Sequence, residues 1–233
     1  MIGLNERKTV VITEFRGSYN IGAFGIATDK YAIMGVGFRE RDLKEIEEAL
    51  SVSLIVQNIS GDPLIGILFS GNSHGLLVPD SIREREYENL REKLDDVEIL
   101  KVSFRTFENT LGNLILANDK GAVVHSSLYN KNKKVMEKIE QTLGVDLEHY
   151  EFFSPVVRSM AVVNNKGGLI SPLMSDEEME FIKSALKLER IGKGTGNMGS
   201  AFVGSCYIVN SNGIIAGLKT TGPELQRAYE ILL

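Results

Sequence analysis

One cysteine, three histidines and no excess of positive charge leave this chain little with which to build several common kinds of site. Cys206 alone cannot form an internal disulfide. The N-terminal MIGLNERKTV lacks the apolar core of about 7–15 residues that a secretory signal needs, so a cytoplasmic protein is expected. No apolar run approaches the ~18 residues that span a bilayer, because Gly, Asn or charged residues interrupt every strand-like segment. A membrane is therefore not an expected partner. His74, His125, His149 and Cys206 show neither C-x-x-C nor H-x-x-x-H spacing, which predicts no metal site, and no cofactor is expected. The formal charge of −5 gives no general attraction to phosphate, which disfavours free nucleic acid as a partner.

What the chain does have is repetition. In LIGILFSGNSHGLLVP, LGNLILANDKGAVVHS, SMAVVNNKGGLISP and FVGSCYIVNSNGIIAG, an apolar strand, a polar turn closing on glycine and a second apolar strand follow in the same order. The turn glycines Gly75, Gly121, Gly167 and Gly213 are spaced by 46 residues. A fifth, more divergent copy, GAFGIATDKYAIMG, carries Tyr31 where glycine would stand. Turns such as Asn118-Asp-Lys-Gly121 place residues tolerant of positive φ between β-prone runs, which predicts a hairpin at the start of each repeat.

A helical stretch follows each hairpin. The pairs Asp42/Glu45, Ser81/Glu84, Ser175/Glu178 and Thr221/Glu224 have capping-box spacing, and Leu43, Ile46 and Leu50 form one apolar stripe behind such a pair. The third helix, from Lys131 to Leu143, opens instead with Lys131, Lys133 and Lys134, against the favourable charge order at a helix start. Further strands at Ser53–Gln57, Val97–Val102 and Leu188–Ile191 complete a ββαβ unit. The fifth repeat ends in its helix while Thr9–Phe15 stands unpaired before the first, so the N-terminal strand is expected to complete the last blade and close the ring. The expected organisation is one α/β domain, 1–233, a single monomeric chain. Its repeats span roughly 18–60, 62–104, 109–153, 155–196 and 197–233, with 9–15 completing the last.

Gly194-Thr-Gly196-Asn-Met-Gly199 has the spacing of a dinucleotide fingerprint, but the segment after it, Ala201 to Val209, reads as a strand rather than the required helix. An inter-blade connection is the better reading. The cluster Lys131, Lys133 and Lys134 reads as a solvated helix start.

His74-Gly-Leu-Leu-Val-Pro79, Leu111-Gly-Asn113, Gly167-Gly-Leu-Ile-Ser-Pro172, Gly192-Lys-Gly-Thr195 and Thr220-Thr-Gly-Pro-Glu-Leu225 resemble the translation initiation factor six family. The members of that family are ribosome anti-association factors. The resemblance covers nearly the whole chain and implies the five-bladed α/β propeller called the pentein. The end at Leu233, without the tail of eukaryotic members, resembles archaeal ones. The activity implied is binding to the large (50S) ribosomal subunit, beside the sarcin–ricin loop and mainly through a ribosomal protein, with ribosomal RNA as a further contact. Joining of the small (30S) subunit is then blocked by occupancy. The implied ribosome-binding residues are Gly22, Ser73, His74 and Asn113, with Asn20 and Asn197 added by repeat position; Ser73 replaces a basic residue common in eukaryotic members.

Other penteins modify guanidino groups with a nucleophilic cysteine, a histidine and acidic residues, and Cys206 in the last repeat gives an alternative reading as such an enzyme. Its place inside a strand from Phe202 to Val209 argues for a buried small hydrophobe instead. No catalytic residues are therefore expected.

Overall fold

A computed structural model describes residues 9–104 and 109–233. Residues 1–8, on which the expectation about a secretory signal rests, lie outside them. The described residues form five three-stranded sheets. In the first four, an inner strand pairs antiparallel with a middle strand, and the middle strand pairs parallel with an outer one that returns after a helix. The third sheet is typical: Ile115–Asn118 against Gly121–His125, then Leu147–Tyr150. The last sheet takes its outer strand from the other end of the chain, with Val10–Thr13 lying parallel to Ile214–Gly217. The fold is thus a five-bladed α/β ring of pentein type, closed by the N-terminal strand.

The middle strands are buried along their length and apolar except for His125 at the end of the third, because both faces are covered. Alternate side chains point to opposite faces, and each face belongs to a different core. Leu76 and Val78 pack with Ile33, Ile55 and Leu90, while Leu77 between them packs with Ile115, Val124 and Ile139. Ile215 likewise joins Val11, Met34 and Ile46, whereas Ile214 and Ala216 join Leu169 and Ile231. Hydrophobic burial is therefore placed at the junctions between blades, and no blade buries its own surface alone.

A polar chain runs through the same junctions. Asn72, Asn118, Asn164 and Asn210 are buried at the hairpin turns. The Oδ1 of Asn118 accepts from the N–H groups of Lys120 and Gly121, and its Nδ2 donates to Asn164 O at 3.1 Å and Leu186 O at 2.9 Å. Asn72, Asn164 and Asn210 repeat this pattern, and Asn210 closes onto Thr28 O and Leu50 O of the first blade. The turn glycines do not take positive φ, contrary to the expectation from the turn sequences. A Cβ on Gly75, Gly121, Gly167 or Gly213 would strike the carbonyl of Thr142, Ala185, Ile231 or Ala49 respectively. Glycine is required by the close approach of the neighbouring helix end, not by turn geometry. Between the first and second blades the pattern changes: Tyr31 is buried in glycine's place and its hydroxyl donates to Gly75 O.

Other local expectations also shift. The apolar run opening each repeat is not all strand: Ile65–Leu68, Leu111–Leu114, Val157–Met160 and Val203–Cys206 are single helical turns, and Ile21–Ala23 is a 3₁₀ turn. Each is preceded by a residue in one conformation, φ −83° ψ 60° at Asn20 and φ −85° ψ 67° at Phe202, close to an inverse γ-turn. Cys206 therefore ends a helical turn, and the strand begins at Tyr207. The Ser175/Glu178 and Thr221/Glu224 boxes form. The other two do not, because those helices begin at Glu40 and Glu84. Asp42 instead accepts from Thr13 Oγ1 at 2.6 Å, tying the first helix to the N-terminal strand. The third helix divides into Ser126–Lys131 and Lys133–Leu143 about Asn132.

Candidate functional site

All five inner strands run the same way, so the ring has two unlike ends. At the turn end, Asp29, Ser73, Asp119, Asn165 and Ser211 make a polar circle. Asn165 Nδ2 bridges the Asp29 and Asp119 carboxylates at 2.7 and 2.6 Å, Ser73 N and Oγ donate to Asp119, and Ser211 N and Oγ donate to Asp29. The opposite end carries the helical turns and the connectors between blades.

The helical turns bring Gly22, Gly66, Gly112 and Gly204 around the axis. A Cβ on Gly22, Gly66, Gly112 or Gly204 would strike the carbonyl of Gly204, Gly22, Gly66 or Arg158 in turn. The position 46 residues after Gly112 holds Arg158, whose side chain enters the space that the glycines leave. Its Nη1 donates to Gly66 O at 3.0 Å and Gly112 O at 3.2 Å. Burial pulls the guanidinium down to about 10. Above it opens a well of about 260 Å³ whose lining includes Asn20, Gly22, Asn113, Ser159, Phe202 and Ser205.

The six sequence-predicted residues are split between the two ends. Asn20, Gly22 and Asn113 line the well. Asn197 is buried beside it with φ 50°, its Nδ2 donating to Tyr19 O at 2.9 Å and Asn20 Oδ1 at 3.3 Å. Ser73 and His74 lie at the turn end, where the Ser73 hydroxyl is already bound to Asp119.

Sequence reasoning missed what surrounds the well. Val36, Leu173 and Leu218 follow the ends of middle strands, Phe153 follows an outer strand, and Met198 and Phe202 flank a connector; all are exposed, Phe153 by 74% and Met198 by 71%. These segments all reach the connector end, so a broken apolar rim encircles a polar mouth. Arg158 could have been found by extending the 46-residue spacing from the turn glycines to Gly66 and Gly112. Nothing local marks Leu173 or Leu218 as outward-facing.

The family model described as "eIF-6 family" matches residues 10–231. The chain belongs to the eIF-6 family. Relatives named "Translation initiation factor 6" include that of Pyrococcus horikoshii, 37% identical over 94% of this chain and 96% of the relative. That of Methanocaldococcus jannaschii is 39% identical over 93% and 95%, and that of Pyrococcus abyssi 39% over 94% and 96%. Membership makes the chain a translation initiation factor of this family and agrees with a non-enzymatic role. The setting of Cys206 points the same way. The thiol is buried, desolvation raises its pKa, and Sγ donates to Phe202 O at 3.4 Å. An activated thiolate needs the opposite environment. Among the described residues no helix is long and apolar enough to cross a membrane.

Proposed function

We propose that this eIF-6 family member binds the large ribosomal subunit through the connector end of the ring and keeps the small subunit away by occupying the joining surface. The observation that carries the reading is the apolar rim of Phe153, Leu173, Met198, Phe202 and Leu218 around a polar mouth. Exposed apolar residues collected at one end of a rigid ring suit a flat protein partner, and a stable contact needs about 800 Å² from each side. Asn20 and Asn113 lie on that contact face, with Asn197 buried behind Asn20 and Gly22 beneath, where only glycine fits. Ser73 and His74 lie at the other end and take part only in a contact that wraps the rim.

Co-sedimentation with purified large subunits, followed by a subunit-joining assay, tests the reading. Binding that blocks joining is expected; failure to bind, or binding without effect on joining, refutes it. Asn113→Arg, at the mouth, is expected to weaken binding about tenfold or more while leaving thermal stability near wild type. Loss of binding on His74→Ala, with Phe202→Ala silent, would move the contact to the turn end.

A further inference from the structure

Among the described residues Arg158 is a cation without an ion-pair partner. Its hydrogen bonds go to two neutral carbonyls, and burial lowers its pKa. The cavity on its inner side is about 30 Å³, roughly the volume of one water, and its lining includes Ile26, Leu116, Val162 and Ile208. That cavity has room for one water and none for a counter-ion, so the guanidinium can be neutralised only from the well at the connector end.

The amides at the well are turned to suit a negative group. Asn113 Oδ1 accepts from Ser159 Oγ at 3.0 Å, and Asn20 Oδ1 accepts from Asn197 Nδ2 at 3.3 Å. Both acceptor oxygens are thus held by the protein, and both NH₂ groups have no protein partner among the described residues. Arg158 Nη2 and Nε are in the same position. No residue lining the well is acidic. Donors from three blades converge on a partly desolvated cation, with room for a tetrahedral or planar oxyanion and several waters.

We infer that the axial well is an oxyanion site, in which Arg158 at the floor and the Asn20 and Asn113 amides at the wall bind one carboxylate- or phosphate-sized group. The inference does not depend on ribosome binding. The group has two possible sources, a free ion or an acidic side chain of whatever docks on the connector end.

Inorganic phosphate and acetate titrated into ¹⁵N-labelled wild-type protein, against chloride at equal ionic strength, give the direct test. Saturable shifts of the Arg158 Nε–H and of the Asn20 and Asn113 side-chain amides are expected. Arg158→Met, checked for folding by circular dichroism, should weaken the binding about tenfold or more. Shifts that never saturate, or that match the chloride control, overturn the proposal; the wild-type titration decides this even if the variant misfolds. Adding large subunits then separates the sources. Displacement of phosphate assigns the well to a group of the docked partner, and undisturbed phosphate binding assigns it to a free ion. If large subunits do not bind at all, the proposed function fails while the phosphate result stands.

Discussion

Glu224 offers a sharp test of how the connector beside the well is held. Its Oε1 accepts from Thr195 Oγ1 at 2.8 Å and Gly199 N at 2.7 Å; its Oε2 accepts from Thr221 N and Oγ1, both at 2.8 Å, and from Met198 N at 3.2 Å. Burial alone would raise its pKa, but the Thr221 and Gly199 amides and the Thr195 and Thr221 hydroxyls outweigh it and bring it down to about 2. Lowering a carboxyl from 4.5 to about 2 corresponds to about 3 kcal/mol, which contact with solvent reduces to about 1–2 kcal/mol. Because the folded-state pKa lies below the unfolded one, this stabilisation is complete above pH ~4.5 and is lost as the pH falls toward 2. Glu224→Gln turns one acceptor oxygen into a donor facing other donors, at every pH. Denaturant unfolding at pH 7 should show the variant less stable by about 1–2 kcal/mol, with the gap narrowing below pH ~4.5 as the wild-type carboxyl protonates. Amide exchange at Met198 and Gly199 should quicken in the variant at pH 7. A gap that does not change with pH, or no gap at pH 7, would refute the reasoning.

Other substitutions test the junctions and the thiol. Gly121→Ala should destabilise by about 2–3 kcal/mol in thermal or urea unfolding, because its Cβ strikes Ala185 O; a neutral result would mean that the neighbouring helix end yields. Asn118→Ala leaves two buried carbonyls and two amides without their partner and should cost about 2–4 kcal/mol in the same assay. Cys206 should resist a thiol reagent at neutral pH in the native protein and react only on unfolding; rapid native labelling would revive the enzyme reading.

The ring was legible in the sequence because its cores lie between blades. Each middle strand must be apolar on both faces, and the 46-residue spacing of the turns survives in plain view. The Ser175/Glu178 and Thr221/Glu224 boxes were legible from their spacing, whereas the same spacing at Asp42/Glu45 and Ser81/Glu84 forms none because those helices begin at Glu40 and Glu84. The helical turns were not legible. Leu111-Gly-Asn-Leu114 is too short to show a helical period, and its conformation is set by packing around the axis. The role of Gly121 was hidden for a related reason: the atom that forbids a side chain there belongs to Ala185. At the site, Asn20, Gly22 and Asn113 came from resemblance and repeat position and fall together at one mouth, whereas Ser73 and His74 sit a strand's length away. Arg158 breaks a glycine pattern whose 46-residue spacing is in the sequence, but the reason for the pattern, a carbonyl against each glycine, lies in the packing around the axis.

The strand from Val10 to Thr13 has a consequence for how the chain is made. It leaves a ribosome about 200 residues ahead of its partner, Ile214–Gly217. Until that partner emerges it has no edge to join, and the core where Val11 meets Ile215 is open. The first four blades can stack in order as they emerge, but the pairing of Val10 with Ile214 is among the most distant in the chain and forms only once the fifth hairpin is made. The seam between the two chain ends is thus a length check: a chain released early keeps an unpaired apolar strand and an open core, and never presents a finished ring.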